Sequence, residues 1–111
     1  MKNRTWDKYE VALLIEGYIR IANSNASRKD VAKEISERLR STVYYESNTY
    51  RNINGITLQL GAIEYLMTDG AHGISHVSNL FRDTVRLYKE DYSAFVGLLD
   101  EANNKYPKKR D

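Results

Sequence analysis

Residues 41–67 read STVYYESNTYRNINGITLQLGAIEYLM, and the way they fold decides the architecture. Two readings compete. Asn54-Gly55 lies between Tyr50-Arg51-Asn52-Ile53 and the alternating Ile56-Thr57-Leu58-Gln59-Leu60, which is the pattern of a β-hairpin with a two-residue turn. Against it, Ile53, Ile56, Leu60, Ile63 and Met67 recur at spacings of 3, 4, 3 and 4, the period of one helix face. The hairpin accounts for residues 50–60 only, whereas a helix from about Asn48 accounts for the run through Met67. The helix is the expectation. It leaves Leu58 and Tyr65 on the side away from the stripe, so later helices should cover its far end, with Gly55 and Gly61 permitting close approach.

Upstream, WDKYEVALLIEGYIRIA (6–22) reads as a first helix with Thr5 or Asp7 as N-cap and Glu16–Arg20 as an i, i+4 pair. Its apolar residues Val11, Leu14, Ile15, Tyr18, Ile21 and Ala22 leave little polar circumference, so it should be central. After a loop at Asn23–Ala26, Ser27 opens S-R-K-D, a capping-box pattern, and a second helix runs to about Arg40. Its apolar edge is thin: Val31, Ile35 and Leu39.

Downstream of the deciding stretch, residues 68–73 form a loop, and Ser75 or Ser78 caps a fourth helix with Val77, Leu80, Phe81, Val85 and Tyr88 inward. A fifth helix covers about Asp91 to Asn104, with Tyr92, Phe95, Val96, Leu99 and Ala102 inward, and Lys105–Asp111 is a basic, frayed tail. The expected fold is all-α: about five helices in one domain over 1–104, a trihelical core at 5–67 and a helical pair at 75–104.

The chain's 111 residues suit one domain, and the absence of cysteine removes disulfides, thiolate zinc sites and cysteine nucleophiles. No apolar run approaches the ~18 residues of a membrane span, and MKNRTWDKYE lacks the apolar region of a signal peptide. A soluble, cytoplasmic protein with no membrane partner is expected. Phosphate-binding loops, dinucleotide fingerprints, nucleophile elbows and H-E-x-x-H are all missing, so neither catalysis nor a cofactor is expected. His72 and His76 are spaced i, i+4, but two ligands do not make a zinc site, and no metal is expected.

The net charge of +2 is unevenly spread. Residues 1–40 carry nine basic against six acidic side chains, and 68–104 carry three against six. A nucleic-acid face would therefore be built from the N-terminal half.

The pattern W-x-x-Y-E-V-x-L-L-I from Trp6, then SRKDVAKEISERL, then NTYRNINGITLQL resembles the Myb/SANT-like trihelical modules of the helix-turn-helix class. It is similar in particular to versions fused to bacterial restriction-type and other DNA-processing proteins. The resemblance covers residues 5–67 and implies binding of double-stranded DNA, with the third helix offered to the major groove. The residue chemistry is compatible: Arg51, Asn52 and Asn54, in the first turns of the third helix, can pair with base edges. Arg28, Lys29 and Lys33, at the start of the second helix, can hold phosphates.

A second reading is a protein-interaction, adaptor or small inhibitor domain, or a homodimer, on the same fold. Nine tyrosines motivate it, with Tyr44, Tyr45 and Tyr50 clustered as a candidate partner-binding patch. The same rings could instead cover the core. Surface charge separates the readings. A contiguous positive face through Arg28, Lys29, Lys33 and Arg51 belongs to the first, and scattered charges beside exposed tyrosine or leucine belong to the second.

Overall fold

A computed structural model describes residues 5–41 and 49–108. Five helices follow one another: α1 (Lys8–Ser24), α2 (Arg28–Arg40), α3 (Ile53–Met67), α4 (Asn79–Glu90) and α5 (Tyr92–Lys105). No strand occurs among the described residues, so the deciding stretch is helical from Ile53 onward. No described helix is long and apolar enough to cross a membrane.

Each start has a local cause. Asp7 accepts from the Glu10 N–H at 2.8 Å while the Glu10 carboxylate accepts from the Asp7 N–H at 2.9 Å, a complete capping box. Ser27, Asn52, Ser78 and Asp91 cap the other four helices through their side chains. The third helix begins later than its sequence suggests. Asn52 spends its side chain on the Gly55 N–H, and Arg51 sits at φ +47°, a left-handed conformation that a helix cannot continue through.

Helix α1 is the axis of the molecule and packs against all four others. Val11, Ala12, Leu13, Leu14 and Ile15 are all buried, so its apolar arc is nearly complete. The close crossing of α1 and α2 depends on Gly17, where a Cβ would lie 2.8 Å from a Val31 methyl and 2.9 Å from an Ile35 methyl. The expected Glu16–Arg20 pair forms at 2.9 Å, and Arg20 also reaches Glu34 on α2 at 3.0 Å.

Helices α2 and α3 lie side by side and antiparallel. Arg28 at the start of α2 reaches Glu64 near the end of α3, while Ser36 and Arg40 hold the backbone just before α3. Residues 41–52 connect them.

Three other expectations are corrected. The far end of α3 is covered by the 70–76 loop and α4, not by α5: Ile74 N–H bonds the Gly61 carbonyl at 3.0 Å, and Gly70 N–H bonds that of Tyr65 at 2.8 Å. The inner face of α5 is Phe95, Leu98 and Ala102, which turns Tyr92 and Val96 outward. The residues after Asn104 are not frayed through Tyr106, whose ring is buried in the core. Arg38 Nε donates to its carbonyl at 2.9 Å, and its hydroxyl donates to Asp7 at 2.9 Å.

Candidate functional site: an uncharged cleft beside a buried ion pair

The residues expected to read DNA do not come together on a surface. Arg51 is 5% exposed. Its Nε and Nη2 donate to the two oxygens of Glu10 at 2.8 and 3.2 Å, a bidentate pair inside the protein. The guanidinium carbon lies 3.9 Å from the Trp6 ring centre and 4.8 Å from that of Tyr50. The Arg51 carbonyl accepts from Ser36 Oγ at 2.6 Å, which fixes the residue from its backbone side as well. This corrects the assignment of Arg51 as a base reader: its charge is consumed in holding residues 49–52 against α1. Asn52 is likewise committed, as the N-cap of α3.

Arg28 is half-buried and gives its Nη2 to Glu64 at 3.3 Å. Lys29, Lys33 and Asn54 are exposed, but Asp30 and Glu37 are exposed on α2 as well, so its outer face carries both signs. No positive face joins Arg28, Lys29, Lys33 and Arg51.

Tyr50 is buried, 3% exposed, with its carbonyl accepting from Arg40 at 2.6 Å, so it belongs to the core and not to a partner patch. Tyr44 and Tyr45 fall outside the described residues. His72 and His76 are exposed, and no group of three potential metal ligands forms among the described residues.

A concave feature lies elsewhere. A cleft of about 560 Å³ runs along α3 toward α4. Leu58, Gln59 and Ala62 of α3 line it, together with Ile74, His76, Val77, Ser78, Leu80 and Phe81 from the following loop and α4 and with Thr5 and Trp6 from the start of the described chain. None of these residues is an Asp, Glu, Lys or Arg. Trp6 and Phe81 meet edge to face at 6.1 Å between ring centres. Leu58 is 55% exposed, and Ile53 and Ile74 add further apolar surface. Small-molecule sites span about 300–1,000 Å³, so the cleft has room for a group of that size.

Glycine builds the loop wall. Gly73 has φ +94°, and a Cβ there would collide with the Gly61 carbonyl oxygen. At Gly61 a Cβ would come 2.8 Å from the end of the Ile74 side chain, which would have to shift, whereas Gly73 is pressed against backbone.

Behind Trp6, Asp7 gathers the ends of the described chain. Burial alone would raise its pKa. The Glu10 N–H, Lys105 and the Tyr106 hydroxyl outweigh that and hold it below the usual carboxylate value. Glu34 behaves similarly: burial raises it, but the Arg20 guanidinium wins and lowers it.

Sequence reasoning did not assemble the cleft. Leu58 carried the signal, as a large apolar residue on the outer side of its helix, but Trp6, Ile74 and Phe81 reach it from distant positions. Compared with protein-family models, with curated proteins and with solved structures, the chain matches none.

Proposed function

We propose that this chain is a non-catalytic protein-interaction module that receives apolar side chains of a partner protein in the cleft beside α3. The observation that carries the reading is a concave, largely apolar cleft lined by no Asp, Glu, Lys or Arg, to which Leu58 contributes an exposed side chain. Nucleic-acid recognition draws on exposed cations, because phosphate contacts supply most of the affinity. Here Arg51 and Arg28 are spent on Glu10 and Glu64. A DNA-binding role would rest on Lys29, Lys33 and Asn54, which are left at the surface beside Asp30 and Glu37.

Selection of displayed peptides on the full chain tests the proposal. Enriched peptides should carry neighbouring aromatic or aliphatic residues and lose at least about tenfold in affinity against Leu58→Asp, a loss of about 1.4 kcal/mol. A parallel titration with a labelled random duplex across a salt series gives the opposing outcome. Duplex binding that weakens steeply with salt and disappears in Lys29→Glu/Lys33→Glu, with no peptide enriched, replaces the proposal with DNA recognition.

A further inference from the structure

Resting on that reading of the cleft, we infer that Trp6 couples occupancy of the cleft to the docking of residues 49–52, so that an apolar side chain of a partner protein seated there holds these residues more tightly against α1. The indole is shared between two environments. It lines the cleft with Leu58 and Phe81, and it also lies against the Arg51 guanidinium at 3.9 Å. Arg51 is the anchor of its segment: it pairs with Glu10 on α1, its carbonyl is held by Ser36 on α2, and it keeps a left-handed φ of +47°. Non-glycine residues hold that conformation only where surrounding contacts over-determine it. The Trp6 ring is one of those contacts.

The direction of the coupling follows from electrostatics. A cation over an aromatic face is held more strongly when water is excluded around it. Trp6 is only half-buried while the cleft is open. The Arg51 guanidinium is already out of water, so an apolar group seated in the cleft acts on the exposed part of the indole: it dries that surface, holds the ring in place against Arg51 and lowers the frequency with which residues 49–52 lift away. The effect is reciprocal by linkage: whatever loosens Arg51 weakens binding in the cleft by the same factor. Leu58 lines the cleft but is not part of the anchor, so it separates the two steps.

The experiment uses the full chain and the uncharged dye N-phenyl-1-naphthylamine as the cleft probe. Saturating dye should slow hydrogen exchange at the Asn52 amide, which donates to the Thr49 carbonyl at 3.3 Å, by at least about fivefold. Amides of α5 should slow less. Glu10→Gln/Arg51→Met removes both charges of the anchor together, so no buried ion is orphaned, and should bind the dye at least about fivefold more weakly while remaining folded by circular dichroism. Leu58→Asp should abolish both dye binding and the protection at Asn52. Dye that binds the wild-type chain and the double variant equally, with exchange at Asn52 unchanged, overturns the coupling and leaves the cleft reading standing. A folded wild-type chain that takes no dye overturns both.

Discussion

The approach to α3 and the middle of the same helix are built on opposite principles. Toward α1 and α2, residues 50–52, just before the helix, are locked by Glu10, Ser36 and Arg40, with charge and backbone polarity satisfied inside the protein. Toward α4, Leu58, Gln59 and Ala62 border an open cleft lined by no Asp, Glu, Lys or Arg. The difference teaches where this chain spends its arginines. Arg28, Arg38, Arg40 and Arg51 fasten segments together, and the cleft beside α3 is lined mostly by apolar side chains.

The largest expected effect comes from breaking the locked side. Glu10→Ala leaves the Arg51 guanidinium buried without its carboxylate, and urea denaturation should report a loss of about 3–5 kcal/mol. Glu10→Gln/Arg51→Met, which removes both charges, should cost far less, and the gap between the two variants measures the orphaned charge. Equal losses would mean that the pair is not the fastener.

The open side is attacked next through its wall. Gly73→Ala places a Cβ at φ +94° against the Gly61 carbonyl and should cost more than about 1 kcal/mol by the same assay, with cleft binding lost in parallel. Tyr106→Phe then removes a single hydrogen bond to Asp7, for about 1 kcal/mol. That variant also has a pH signature. Asp7 is held below its ordinary value of 3.8, so its contribution is complete above that value and is lost as pH falls through the lower folded-state value. Stability measured from pH 5 downward should fall less steeply in Tyr106→Phe than in the wild-type chain. The smallest effect on stability belongs to Leu58→Asp, within about 0.5 kcal/mol, because the side chain is more than half exposed. Its consequence should appear in peptide binding alone, which sharpens the contrast between a structural side and a recognition side.

Most of the helices were legible because their signals are local. The 3, 4, 3, 4 spacing from Ile53 to Met67 separates helix from hairpin, and Ser27, Ser78 and Asp91 act as caps within three residues of the N–H groups they satisfy. The start of α3 was misplaced because Arg51 leaves the helical region to satisfy Glu10, a residue 41 positions away that no local pattern reveals. The same long-range contact explains the misread site. An arginine followed by two asparagine-containing dipeptides has the chemistry of a base reader, and only the fold shows that a carboxylate already holds it. On α5, Tyr92 and Val96 fit an apolar helical stripe, yet Phe95, Leu98 and Ala102 fill the contact with the core, and the rotation of the helix is set by its neighbours. The cleft was illegible for a related reason: its walls come from residues 5–6, 58–62 and 74–81, brought together by backbone contacts at Gly61 and Gly73.

Asp7 meeting Lys105 and Tyr106 has a mechanical meaning. Residues near the two extremes of the described chain stand one hydrogen bond apart, so tension applied along the polypeptide crosses the domain over a few ångströms at the start of α1. On the N-terminal side that tension passes through Thr5 and Trp6, one flank of the cleft, before it reaches Asp7. A pull on the ends would first open the Asp7 contacts and draw Tyr106 from the core.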